Sequence, residues 1–203
     1  MIYFTSDSHF YHKNAALNSN FGRNFSSVEE MNETLIDNWN SVVNKEDTVY
    51  VVGDFSFGNT TQTTQVFNKF QGNKILVKGN HDDRATLKMP WGAIDKQLRV
   101  KWKDKVFWLT HYPTKSWDLS YHGSYHLFGH VHSRGEYWAD GLSCDVGVDF
   151  WDFKPVSADT LIELFESLER LKNENGHFMW RGKPETGIEV VYYKDLEKIK
   201  YRI

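Results

Sequence analysis

The sequence predicts a layered α/β fold whose first half is a parallel sheet with helical crossovers. Short β-prone runs alternate with helical patterns over the first eighty residues, which is the β-α-β-α-β rhythm of such sheets. The second of these runs, Thr48-Val49-Tyr50-Val51-Val52, is largely apolar throughout, as expected of a strand covered on both faces. Each run ends in a loop carrying a carboxylate: Asp7, Asp54 and Asp82.

Taken in order, Ile2–Thr5 reads as the first strand. Ser27 opens a capping box with Glu30, and Met31, Leu35, Trp39, Val42 and Val43 keep helical spacing, so a helix is expected over residues 28–43. The second strand breaks at Gly53-Asp54. A shorter helix is expected near residues 61–71, and Lys74–Val77 forms the third strand, closed by Gly79-Asn80-His81-Asp82.

The second half is patterned differently. Leu98, Val100 and Trp102 alternate with Arg99, Lys101 and Lys103, the period of a half-buried strand, and Lys105–Leu109 is expected to pair with it across a Lys103-Asp104 turn. Thr110-His111 follows. Ser124–Phe128 leads into Gly129-His130-Val131-His132, and Leu142–Phe150 is expected to be one strand. Ser157 caps an amphipathic helix with Leu161, Leu164, Phe165, Leu168 and Leu171 on one face. Two further strands, Phe178–Arg181 and Ile188–Tyr193, are expected around Lys183-Pro184. No linker, repeat or low-complexity stretch interrupts the chain, so residues 1–203 are expected to form one domain.

Composition narrows the function classes. With 40% hydrophobic and 16% aromatic residues among 203, the chain can bury a core and is not disordered. A net charge of −3 gives no general attraction to nucleic acid or anionic membrane. The one cysteine, Cys144, reads as a small core residue, consistent with a reducing compartment. No apolar run is long enough to span a membrane, and Met1–Thr5 lacks the basic leader of a signal peptide, so a soluble, cytoplasmic protein is expected.

Five of the nine histidines fall at the ends of expected strands. Asp7-x-His9 and His130-x-His132 each place two ligand-capable groups on one side of an extended segment. Asp54, Asn80 and His111 follow other strands. Alone, each such motif is commonly a turn or a solvated loop; their conjunction in five segments is what points to a metal centre. Two carboxylates, one amide oxygen and four imidazoles, with no thiolate, suit Mn²⁺, Fe²⁺, Zn²⁺ or Ni²⁺ better than Ca²⁺ or Mg²⁺. Seven ligands exceed what one tetrahedral ion takes and suit two ions sharing a carboxylate, the usual apparatus for hydrolysing phosphate esters.

The series Asp7-Ser8-His9, Gly53-Asp54, Gly79-Asn80-His81-Asp82, Thr110-His111, Gly129-His130-Val131-His132 resembles the calcineurin-like metallophosphoesterase superfamily over residues 1–150. Finer similarity, in Glu29–Glu33, Trp39-Asn40 and Val146–Asp149 before Trp151, suggests a small stand-alone bacterial or phage-type subgroup. The resemblance implies a four-layer α/β/β/α sandwich with two mixed sheets and a dinuclear centre at their strand ends. It implies Asp7, His9, Asp54 and His132 on one ion, and Asp54, Asn80, His111 and His130 on the other, with Asp54 bridging. Mn²⁺ is the favoured ion for assay. His81 is then the non-ligand histidine that contacts the phosphate and protonates the leaving oxygen, a role suited to an imidazole. Many members have a second aspartate after Gly-Asp that orients this histidine. Here the run is Gly53-Asp54-Phe55-Ser56-Phe57, leaving Asp82 as a candidate for that task.

A phosphate subsite also benefits from a cation. Arg23, in a loop with turn chemistry, is the best candidate for substrate binding beside Asn80 and His81; His12, Lys13 and Arg84 are weaker. His126 reads as a packed core histidine and His122 as a pocket residue. Trp117, Trp138 and Trp151 are the tryptophans placed to wall a substrate, whereas Trp39 and Trp108 occupy core positions. The expected function is hydrolysis of a small, nucleotide-like phosphate mono- or diester. A DNA nuclease on the same fold is the alternative, using the Arg99, Lys101, Lys103, Lys105 alternation to track a backbone. That alternation also suits the solvated face of an edge strand. A non-catalytic protein-binding scaffold is the reading from a different class.

Overall fold

A computed structural model describes residues 1–17, 22–132, 142–172 and 178–182. Ile2–Thr5 (β1), Thr48–Val51 (β2) and Asn73–Val77 (β3) are parallel neighbours, joined by the helices Val28–Val42 (α2) and Thr60–Phe67 (α3). A short helix, Lys13–Leu17 (α1), precedes α2, and Arg84–Leu87 (α4) follows β3. Ile94–Asp95 (β4), which sequence patterning does not reveal, adds a parallel edge strand beside β3. Val156–Ser157 (β9) adds an antiparallel one beside β1, so this sheet is mixed, with the order β4-β3-β2-β1-β9.

The second sheet is also mixed, in the order Gln97–Trp102, Lys105–Thr110, Tyr125–Phe128, Ser143–Asp145. Gln97–Trp102 (β5) and Lys105–Thr110 (β6) form the expected hairpin, Trp102 opposite Lys105, with Lys103 at φ 54° in the two-residue turn. Tyr125–Phe128 (β7) and Ser143–Asp145 (β8) then run parallel to β6. The expected strand to Phe150 stops at Asp145 because its carboxylate accepts the Gly147 amide at 2.7 Å and turns the chain. Val148 then donates to the carbonyl of Ser6 at 3.0 Å, carrying the chain across to β1.

The two sheets pack face to face. Ile2, Phe4, Val52 and Val77 from one side meet Phe107, Leu109, Tyr125 and Leu127 from the other, all buried. Each large side chain so buried contributes ~1.5–3 kcal/mol. Val49, Val51 and Leu76 point to the opposite face of the first sheet, where α2 and α3 cover them with Leu35, Trp39, Val66 and Phe67. On the second sheet, Trp117 stacks on His126 at 5.1 Å, so both are packed residues; Trp117 does not wall a substrate.

Local chemistry starts the helices as expected. Ser27 accepts the Glu30 amide at 3.0 Å, although Glu30 reaches one residue further back than a capping box requires, to the Ser26 amide at 2.6 Å. Asn59 and Gln62 form a reciprocal box on α3. Ser157 caps Ala158–Glu166 (α5), but this helix is shorter than its apolar stripe. Ser167 closes it by donating its amide to the carbonyl of Glu163, and Leu168–Lys172 (β10) pairs instead with Phe178–Gly182 (β11). Strand pairing thus overrides the helical spacing of Leu168 and Leu171. The partner strand expected at Ile188–Tyr193 lies outside the described residues, as does Trp138.

Candidate metal centre

The parallel runs β1-β2-β3 and β6-β7 all present their C-terminal ends at one edge of the sandwich, where open α/β sheets hold their chemistry. Asp7 and His9 follow β1, Asp54 follows β2, Asn80 follows β3, His111 follows β6, and His130 and His132 follow β7. The structure brings these residues together as two groups. Asp7, His9 and His132 form one, and Asp54, His111 and His130 the other; within each, a ligand atom from every residue lies within 4.8 Å of the rest.

Backbone geometry serves this convergence. Asp7, His9, Asp54, His130 and His132 all have φ between 50° and 73°, the left-handed region that costs a non-glycine residue of order 1 kcal/mol or more. Such strain persists only where surrounding bonds over-determine it. The Asp7 amide donates to the Gly53 carbonyl at 3.0 Å and the His9 amide to the Asp54 carbonyl at 3.1 Å. His130 donates its amide to Asp7 Oδ2 at 2.8 Å, tying the second sheet to the first. The turn after β3 needs glycine for space: a Cβ on Gly79 would collide with the Asp54 carboxylate. At Gly129 it would strike Ser6 and Asp7.

The donor atoms fit a cation. His111 Nδ1 donates to the Val52 carbonyl at 2.8 Å, so a neutral ring leaves Nε2 bare. That nitrogen faces two further acceptors, Asn80 Oδ1 at 2.9 Å and Asp54 Oδ2 at 3.5 Å. Burial would lower the His111 pKa, but the Asp54 carboxylate and the charge of Asp7 outweigh it and push it up to about 9. The place calls for positive charge. In the other group, the Nε2 atoms of His9 and His132 face each other at 3.2 Å, and Asp7 Oδ1 is buried without a hydrogen-bond partner. Against burial, His9 and His132 hold the Asp7 carboxyl well below its usual range. Asp54 Oδ2 stands between the groups, 3.8 Å from His9 Nε2 and 3.5 Å from His111 Nε2.

Two expectations are corrected. Arg23, expected at the substrate, is wholly buried, and its guanidinium is engaged with protein groups. It holds Asp149 through Nε and Nη2, at 2.5 and 2.9 Å, and donates to the carbonyls of Asp7 and Ser8 at 2.6 and 3.0 Å. Asp149 Oδ2 in turn accepts from His132 Nδ1 at 2.8 Å. Asp82 does not orient His81. It is buried, and its carboxylate accepts the amides of Asp54, Phe55 and Gly79 at 3.0, 2.9 and 2.7 Å, clamping the β2 and β3 loops together.

His81 is exposed at the rim. Its amide donates to Asp54 Oδ1 at 2.8 Å, and its ring lies 5.9 Å from that of His9 and 4.9 Å from that of Phe57. Phe57 in turn stacks on His12, 4.0 Å away and nearly parallel. Sequence reasoning missed Phe57 as the neighbour of His81; its place in the run after Gly53-Asp54, which carries no second aspartate, is the available signal. Lys13 and Arg84 are exposed first residues of α1 and α4, and His122 lies in an exposed single 3-10 turn. Trp151 is half-buried and donates to the Asp145 carbonyl at 2.9 Å. Along the basic alternation, Arg99 pairs with Asp118, Lys103 with Asp159 and Lys105 with Glu166, so these cations already face carboxylates. No helix among the described residues is long and apolar enough to cross a membrane.

The chain is similar to several known proteins. The sequence model described as calcineurin-like phosphoesterase matches residues 1–151. An uncharacterized protein of Methanocaldococcus jannaschii is 34% identical over 172 residues, 81% of this chain and 91% of that one. The gene 66 protein of Mycobacterium phage L5 is 40% identical over 83 residues, 39% of each chain. Among solved structures, a protein of unknown function from Aquifex aeolicus matches with a TM-score of 0.62 at 26% identity, over 81% of this chain and 98% of that one.

Proposed function

This chain belongs to the calcineurin-like phosphoesterase family, divalent-metal-dependent hydrolases of phosphoric esters, and from that premise we propose that it hydrolyses a small, nucleotide-like phosphate mono- or diester at a dinuclear centre. Asp7, His9, Asp54 and His132 would hold one ion; Asp54, Asn80, His111 and His130 would hold the other. Manganese is the first ion to try. The observation that carries this reading is the position of Asp54 Oδ2, within 4 Å of an imidazole nitrogen from each group, as a shared ligand requires. When bound, such a pair supplies charge neutralisation on the phosphoryl oxygens and a water acidified toward neutral pH.

The chain's own residues do the rest. Val52 and Asp149 fix the orientations of His111 and His132, so that both present Nε2 inward. The amide of His81 holds Asp54 Oδ1, directing Oδ2 toward both groups. The His81 ring, at the solvent edge beside His9, delivers a proton to the leaving alkoxide as general acid. Phe57, backed by His12, limits where that ring can go.

The test is turnover of chromogenic mono- and diesters, nucleotides and cyclic nucleotides by the Mn²⁺-loaded protein. His81→Ala should retain its metal and slow turnover by ~10²–10⁴, the range for a general acid. Unchanged turnover removes His81 from the mechanism. A loaded protein that cleaves no ester favours the scaffold reading.

A further inference from the structure

Among the described residues Arg23 is the largest side chain buried to under 2% exposure, and the reaction gives it nothing to do directly. Its contacts are selective. It bonds the carbonyls of Asp7 and Ser8, which bracket the left-handed turn from Asp7 to His9, and through Asp149 it reaches His132. Asp7 and His132 belong to one ligand group, and the Ser8 carbonyl leads directly into its third member, His9. In the other group, His111 takes its support from Val52 and Asp54 from the His81 amide, while the His130 amide bonds Asp7 Oδ2; none of these is a bond of Arg23 or Asp149.

All five guanidinium donors are placed. Nε and Nη2 grip Asp149, Nη2 also serves Asp7, and Nη1 serves Ser8 and, at 3.5 Å, Met31 Sδ. A buried ion pair by itself says little, because apolar residues fill such space as well or better. This one is forked, has every donor engaged and ends on an imidazole of the site. A planar fork can fix two carboxylate oxygens at once, and here that fixes the carboxylate that aligns His132.

We propose that Arg23 and Asp149 are positioning residues dedicated to the Asp7–His9–His132 group: together they set its affinity for a divalent cation and leave the Asp54–His111–His130 group untouched. The inference rests on the dinuclear reading above. Asp149 holds the His132 ring with Nε2 inward, and Arg23 holds both Asp149 and the turn that carries Asp7 and His9. One guanidinium thereby registers the end of β1 against the end of β7.

The experiment is calorimetric titration of the metal-free full chain with Mn²⁺, with bound metal counted by elemental analysis and folding followed by circular dichroism melts. The parental protein is expected to take up two ions. Asp149→Asn, close to isosteric, should keep one ion at parental affinity and bind the other 10–100-fold more weakly, the usual effect of removing a group that holds a ligand. The double variant Arg23→Met/Asp149→Leu removes both charges together and should show the same split, while Asp118→Asn, which unpairs Arg99 on the β5 edge, should show none.

Two ions at parental affinity in a folded Asp149→Asn overturn the inference and leave the dinuclear reading standing. Equal weakening of both ions also overturns it, since the brace would then be a general structural support. So does failure of both variants to fold. A parental protein that never takes up a second ion refutes the dinuclear reading itself.

Discussion

The two ligand groups are made of the same residue types, one carboxylate and two imidazoles each, yet opposite means hold them. The Asp7 group is aligned by charged side chains from far along the chain: Arg23 and Asp149 are 126 residues apart, and Asp149 is 17 residues from His132. The Asp54 group is aligned by main chain close to its own motifs. His111 leans on the carbonyl of Val52, two residues before Asp54, and Asp82 gathers the amides of Asp54, Phe55 and Gly79. The Val52 carbonyl cannot be removed by substituting a side chain, whereas the Arg23–Asp149 brace and the Asp82 carboxylate can.

Asp54→Asn should break the comparison altogether. Its Oδ2 is the atom near both groups, so weakening it should cost both ions and abolish turnover, read as metal content and kcat. If one ion stays at parental affinity, the groups are independent and Asp54 is not shared. Asp82→Ala sharpens the comparison from the other side. It strands three buried amides, so a loss of about 3 kcal/mol is expected, or roughly 10 °C in Tm for a chain of this size. Whatever fold remains should lose the Asp54-group ion first, the mirror image of the Asp149 result. Loss of the Asp7-group ion first would mean that the β2–β3 clamp supports the wrong group.

The same contrast explains what the sequence made legible. The parallel strands, the β5–β6 hairpin and the seven residues gathered at the strand ends follow from local patterns: apolar runs, period-two alternation, and ligand types just past each run. The supports of the Asp54 group lie inside the same motifs, although the side-by-side placement of His81 and Asp82 suggests a side-chain contact between them. The turn in fact points the Asp82 carboxylate back at the amides of the neighbouring loop. The supports of the Asp7 group had no such local signal. Arg23 is, in sequence, a cation in a loop and so a substrate candidate, since nothing in its neighbours says that a carboxylate 126 residues on will meet it. Strand β10 was hidden for a related reason: pairing with β11 is a tertiary gain, and the helical spacing before it continues unbroken through Leu168 and Leu171.

Proton competition gives the smallest effect and a direct view of the Asp54 group. In the metal-free protein, burial would depress His111, yet the Asp54 carboxylate and the Asp7 charge raise its pKa from 6.5 to about 9. A histidine raised on folding stabilises the fold fully below its unfolded pKa, and that contribution is lost as pH rises through the folded value. The metal-free protein should therefore lose stability between about pH 6.5 and pH 9, read as a falling Tm. Metal binding runs the other way, because a cation on Nε2 must displace this proton. Affinity for the Asp54-group ion should climb by about tenfold per pH unit and level off near pH 9. In the other group burial lowers the His9 pKa, whereas against burial the Asp149 bond and the Asp7 charge raise that of His132. Calorimetry in buffers of different ionisation enthalpy counts the protons released. Asp149→Asn offers the cleanest background, since its tighter ion is expected to be the Asp54-group ion alone. About one proton released at pH 7.5 with that ion supports the assignment, and none released would mean that Asp54 and Asp7 do not hold a proton on His111.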